Sequence, residues 1–232
     1  MWRLVAPAFE DRYRTVLFDH VGAGHSDLKA YTPDKYAGLE GYARDLVEIG
    51  EELGLKDAVF VGHSVSAMIG ILAARQAPGM FRALVLVGPS PCYVDEEGYT
   101  GGFTRDQIGE LLESLENNHM GWSMDMAPVI MGNPERPELG DELARSFCRT
   151  DPEIAKQFAR ATFLSDTREI LGELDLPALI LQCSDDVIAP LCVGDYVHAA
   201  LPNSTLVVMK ATGHCPNLSA PEETIAAIRA FL

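Results

Sequence analysis

Ala58-Val59-Phe60-Val61-Gly62-His63-Ser64-Val65-Ser66 decides how this chain is read, together with the Ala67-Met68-Ile69-Gly70-Ile71-Leu72-Ala73-Ala74-Arg75 that follows it. The first four residues form an apolar run typical of a buried strand, and the last nine read as a helix. Ser64 falls on the turn between them. So tight a strand-to-helix turn holds a serine on strained backbone with its hydroxyl projecting at the sheet edge. It also aims the first amides of the helix at whatever the serine attacks. Ser64 is therefore the candidate nucleophile. The G-x-S-x-G pattern expects glycine at its last position, where strand and helix backbones pass closely. Ser66 stands there and should fit with modest crowding. The structural alternative is a helix N-terminus capped by Ser64, and context must separate the two readings.

That context lies in two later loops. A nucleophilic serine needs a base to take its proton and a carboxylate to orient the base. Around a nucleophile elbow they follow in the order Ser, then Asp or Glu, then His. Ala178-Leu179-Ile180-Leu181-Gln182-Cys183 reads as a strand and is followed by Ser184-Asp185-Asp186-Val187-Ile188-Ala189-Pro190. Leu206-Val207-Val208-Met209 reads as the next strand and leads to Lys210-Ala211-Thr212-Gly213-His214-Cys215-Pro216. Each candidate sits just after a strand, where open parallel sheets place their active sites. Either aspartate can serve as the acid at this stage, the other acting as a turn and helix cap. His214 alone would be an ordinary turn histidine. Its order after Ser64 and the aspartates makes it the candidate base.

Composition narrows the field. The chain has 232 residues, 47% of them hydrophobic, enough for a sizeable core. Strands alternate with helices throughout, which argues for a single α/β structure. No stretch approaches the roughly 18–20 apolar residues of a membrane span, and Met1–Phe9 is too short for a signal peptide, so the expected location is the cytoplasm. Net charge is −16, from 34 acidic and 18 basic residues, without the Lys/Arg cluster that a nucleic-acid surface needs. The five cysteines are odd in number and lack metal-ligand spacing, so reduced thiols are expected, with no metal and no cofactor. Adjacent residues on a turn seldom face one another, which sets aside a His214–Cys215 pair.

Tyr13–Asp19 reads as the first strand. Gly22-Ala23-Gly24-His25-Ser26 then resembles a dinucleotide-binding turn, but Asp27 occupies the third glycine position and no long helix opens there. Tyr36–Leu53 has helical spacing and ends at Gly54. Ala83–Val87 is a further strand, which with those above makes five, all suited to parallel pairing. From Val94 to Thr167 the pattern turns helical, with segments at 105–117, 122–131, 138–148 and 153–164 broken by Asn133-Pro134 and Asp151-Pro152. Such an insertion is a lid over the strand ends. Residues 1–93 and 168–232 then form the core and 94–167 the lid. Phe103, Trp122, Phe158 and Phe163 are candidates to line an apolar pocket. Pro221–Leu232 closes the chain as a short helix.

The stretches Phe18–Asp27, Phe60–Gly70, Val87–Tyr93, Gly101–Phe103, Leu179–Pro190 and Gly213–Ser219 together carry a resemblance to the α/β-hydrolase superfamily. Within it the chain is most similar to the RsbQ-like regulators of the bacterial sigma-B energy-stress response, and to the related plant strigolactone and karrikin receptors. The resemblance implies an α/β-hydrolase fold, a mostly parallel sheet under a four-helix lid. It selects Asp186 over Asp185, because the family's acid lies four residues before the proline of its D-x-x-x-P segment. It implies a serine hydrolase of small apolar esters or lactones, with Ser64, His214 and Asp186 as the triad and a stress-signalling role. The alternatives are a ligand-sensing regulator that binds a partner phosphatase with little or no turnover, and a degenerate fragment. An aspartate-dependent dehalogenase is disfavoured by serine at position 64. The family also carries two or three strands before the equivalent of Tyr13, and a loop donating a second oxyanion amide. The expectation is thus an N-terminally truncated chain whose remaining oxyanion donor is the Val65 amide. Loss of one donor typically costs about 10²–10³ in rate.

One outcome follows from the choice of acid. Asp186→Asn is expected to lower ester hydrolysis far more than Asp185→Asn, since only Asp186 should orient His214. Comparing kcat/KM of the two variants on one ester checks it, and equal losses would reassign the acid.

Overall fold

The computed structural model describes residues 1–232. After an irregular first segment, α1 (Leu39–Glu52) leads to β1 (Ala58–His63), α2 (Val65–Gln76) and β2 (Phe81–Val87). Four helices follow: α3 (Arg105–Asn117), α4 (His119–Met131), α5 (Pro137–Cys148) and α6 (Pro152–Phe163). The chain then returns through α7 (Arg168–Leu171), β3 (Ala178–Asp185), α8 (Leu191–Ala200), β4 (Ser204–Thr212), α9 (Pro216–Ser219) and α10 (Pro221–Phe231). No helix is long and apolar enough to cross a membrane.

The four strands form one parallel sheet in the order β1-β2-β3-β4. The expected fifth strand, Tyr13–Asp19, is not one. A strand is defined by its ladder, and nothing in the chain offers this segment a partner, since β1 pairs only with β2. The segment is irregular, and Tyr13, Leu17 and Phe18 are left exposed.

β2 shows why the sheet is buried on both faces. In Phe81-Arg82-Ala83-Leu84-Val85-Leu86-Val87, side chains alternate between faces. Leu84 and Leu86 enter a core with Met68, Ile69 and Ile71 of α2 and with α1. Val85 and Val87 meet Leu179, Leu181 and Met209 beneath Ile228 of α10. A continuous apolar run is what a doubly covered parallel strand requires.

The α3–α6 segment has its own core, and each helix is punctuated locally. Thr104 and Gln107 form a reciprocal capping box at α3. Asn118 accepts from the Gly121 amide, which starts α4 three residues before the expected Trp122. Pro137 and Pro152 open α5 and α6 at positions where the missing N–H costs nothing. Ile108, Leu112 and Leu115 of α3 pack with Ile130, Leu143 and Ala159, and also with Ile188, Cys215 and Leu218 from loops at the strand ends. That shared cluster seats the helices over the C-terminal edge of the sheet.

The end of α4 makes the closest contact with that edge. Gly213 has φ +76°, and a Cβ there would stand 1.8 Å from the Met131 carbonyl oxygen. The His214 amide donates to the Ile130 carbonyl at 2.9 Å, and Asn133 Nδ2 donates to the Thr212 carbonyl at 3.0 Å. Gly213→Ala is therefore expected to lower unfolding free energy by about 2 kcal/mol or more, from backbone strain plus a clash with main chain. Gly54 also has positive φ, +62°, but nothing stands within 4 Å of its would-be Cβ. Gly54→Ala should cost only about 1 kcal/mol. Denaturant unfolding of both variants checks this, and equal losses would mean that the α4 contact carries no weight.

Candidate functional site

Strand register brings the site together. His63, Val87, Leu181 and Val207 step across the sheet in pairing register, so the loops after all four strands open side by side. Ser64 follows β1, Asp186 follows β3 and His214 follows β4.

Ser64 has φ 56° and ψ −130°, a conformation that costs a non-glycine residue about 1–3 kcal/mol. Its amide is anchored to the Val87 carbonyl at 2.8 Å, and its carbonyl accepts from the Ala67 amide at 2.9 Å. Gly62 is obligatory nearby, because a Cβ would lie 2.7 Å from the Ser66 carbonyl oxygen. Ser66 does more than fit. Its hydroxyl pairs with His20 Nε2 at 3.1 Å.

The His214 ring links the other two side chains. Its Nδ1 lies 2.7 Å from Asp186 Oδ2 and its Nε2 lies 2.7 Å from Ser64 Oγ. An ionised carboxylate only accepts, so Nδ1 carries the proton and Nε2 is free to accept from the serine. Asp186 Oδ1 is held by the amides of Ile188 and Ala189, at 2.8 and 3.1 Å. Burial alone would raise the Asp186 carboxyl; the His214 bond, the imidazole charge and those two amides outweigh it and hold the carboxyl below its usual range. Asp186 and His214 are both buried, while Asp185 is exposed at the end of β3 and lies outside this chain of hydrogen bonds. The Val65 amide heads α2 beside Ser64, where the first turn of a helix has donors without intrahelical partners.

These groups face a cavity of about 360 Å³ beneath α4–α6. Of the four aromatic candidates, Trp122, Phe158 and Phe163 line it. Phe103 does not. It precedes the α3 cap, its amide donates to the Tyr93 carbonyl at 3.1 Å, and its ring packs against the helical core. Sequence reasoning missed His20, Tyr93 and His119, which also line the cavity. His20 was within reach: it precedes the glycine-rich turn at Gly22, and with nucleotide binding set aside that turn still had to face something. Cys215 lines the cavity too, but burial and the nearby Asp186 push its thiol up to about 12, which leaves it un-ionised at neutral pH. No three His, Cys, Asp or Glu side chains converge as a metal site would need.

With an α/β sheet, a strained serine after β1 and an Asp-His relay from β3 and β4, the architecture defines a class before any comparison. The family model described as "Alpha/beta hydrolase family" matches residues 1–227, and the chain belongs to that family. Among its relatives is "Strigolactone esterase D14" of Arabidopsis thaliana, 36% identical over all of this chain and 86% of the relative. "Karrikin insensitive 2 receptor IA" of Petunia hybrida is 34% identical over 97% of this chain and 82% of the relative. A solved structure of a hydrolase from Oleispira antarctica superposes with a TM-score of 0.96 at 38% identity, covering 99% of this chain and 85% of that one.

His63 gives this site a measurable pH signature. Its Nε2 donates to the His214 carbonyl. Burial first, then the neighbouring His214, depress it from 6.5 to about 3. Between those values the unfolded chain binds a proton that the folded chain refuses, so stability is full above about 6.5 and falls as pH drops toward 3. His63→Gln is expected to flatten unfolding free energy against pH over that window by up to about one proton, roughly 1.4 kcal/mol per pH unit. An unchanged slope would mean that His63 is protonated in the fold.

Proposed function

We propose that this protein is a serine hydrolase of small, largely apolar carboxylic esters or lactones. The observation that carries the reading is the unbroken relay from Ser64 Oγ through His214 to Asp186, with 2.7 Å at each step. In acylation, Ser64 Oγ bonds to the carbonyl carbon as its proton passes to His214 Nε2. Asp186 stabilises the imidazolium and keeps its tautomer. The Val65 amide, at the positive end of α2, faces the developing oxyanion. His214 then gives its proton to the departing alkoxide, and water repeats the sequence to free the acid. The cavity volume suits one small ligand, and its Trp and Phe walls favour apolar acyl or ring groups over charged ones.

A second reading is supported by the receptor names of several relatives, which are 34–35% identical. In it the same cavity senses a ligand, turnover is slight, and the helical surface signals to a partner. The stress-signalling role and a regulatory phosphatase as partner rest on the sequence resemblance alone.

Ser64 is expected to be the one serine labelled by a fluorophosphonate probe, with labelling lost in Ser64→Ala and its melting temperature little changed. Active-site labelling followed by peptide mapping checks this. Persistent labelling of the variant would remove Ser64 from the chemistry. Labelling of the parent with no turnover across a panel of esters and lactones would favour the sensing reading.

A further inference from the structure

Tyr93 follows β2, which lies between the strand carrying Ser64 and the strand carrying Asp186. The chain leaving β2 passes beside the relay, where a Cβ on Gly88 would stand 3.2 Å from His214 Cε1 and 3.7 Å from Asp186 Oδ2. The position of Tyr93 is rigid. Its carbonyl accepts from the Phe103 amide at 3.1 Å, and Gly101 packs so closely that a Cβ there would stand 2.4 Å from the Tyr93 carbonyl carbon. The ring is 1% exposed, lines the cavity, and meets Phe163 edge-on at a centroid distance of 5.1 Å. The hydroxyl faces Ser64, yet it forms no regular hydrogen bond with Ser64 or any other protein group. A buried phenol held only in an irregular contact with Ser64 is poorly satisfied, and such a donor beside a nucleophile calls for an explanation.

We propose that Tyr93 is a catalytic residue whose hydroxyl donates a hydrogen bond to the alcohol-side oxygen of the ester or lactone as that oxygen leaves. The proposal rests on the hydrolase reading above. In acylation the bond from Ser64 Oγ to the carbonyl carbon forms and the bond from that carbon to the alkoxy oxygen breaks. The proton leaving Ser64 reaches the alkoxy oxygen through His214, so that oxygen must lie on the histidine side of the serine, and there it would meet the Tyr93 hydroxyl. Tyr93 keeps its own proton throughout. Burial pushes its phenol up to about 12, so it remains a donor across the working pH range. The Val65 amide serves the other oxygen of the tetrahedral intermediate. The division of labour matters most where the leaving alkoxide is strongly basic, and it points to unactivated alkyl esters and saturated lactones as the substrate class.

The test compares the ethyl and 4-nitrophenyl esters of one acid, because 4-nitrophenolate departs without help. In Tyr93→Phe, kcat/KM for the ethyl ester is expected to fall about tenfold or more, as for one hydrogen bond made in the transition state. The nitrophenyl ester should change by less than about twofold, with melting temperature and fluorophosphonate labelling of Ser64 retained. Tyr93→Met, which fills much of the same volume without a hydroxyl, should show the same selectivity. Equal losses on both esters, or none on either, would overturn the role of Tyr93. So would a parent protein that cleaves the nitrophenyl ester but not the ethyl ester. If the parent Ser64 is neither labelled nor active on any ester, the hydrolase reading itself fails and this proposal falls with it. Labelling and leaving-group selectivity therefore separate the two failures.

Discussion

The 2.7 Å contact between Ser64 and His214 is the interaction that organises the rest of the molecule. It joins two residues 150 positions apart, so each neighbouring element must be placed to a fraction of an ångström. Parallel pairing does most of this. Strands in register deliver their following loops to one edge, and the left-handed φ of Ser64 turns the hydroxyl out of the elbow and over that edge. The strain is bearable because β1, α2 and the Ser64–Val87 hydrogen bond overdetermine the turn.

The charged part of the relay is kept in dry surroundings. Asp186 is almost sealed, so its charge is sustained by two amides and one imidazole in place of water. His63 packs against the His214 ring at 4.9 Å between centroids and is held neutral. A neutral neighbour matters here, because a positive charge on His63 would oppose any proton arriving on the His214 ring, as the proposed mechanism requires.

Much of this could be read from the chain before folding, and the failures have physical causes. The elbow, the order serine–aspartate–histidine, and helix α3 at Arg105–Asn117 are local or ordinal features, and the sequence carries them openly, while the choice of Asp186 over Asp185 comes only through the family resemblance. Tyr13–Asp19 has the composition of a strand, but pairing is a property of neighbours, and no neighbour is there. Phe103 looks like a pocket aromatic, yet the Thr104 cap turns it into the helical core. Locally Ser66 reads only as a tight fit, because its partner His20 lies 46 residues away and nothing nearby announces it. Tyr93 is silent in the sequence for the same reason, since only the fold sets what its hydroxyl meets.

The grip of α4 on the loop that holds His214 has a mechanical meaning. The carbonyl of Ile130 receives the His214 amide, and Met131 presses on Gly213. The end of α4, whose Ile130 also lines the cavity, and the loop that carries His214 are thus mechanically coupled. A displacement of the end of α4 would therefore pull on the imidazole and disturb its contact with Ser64.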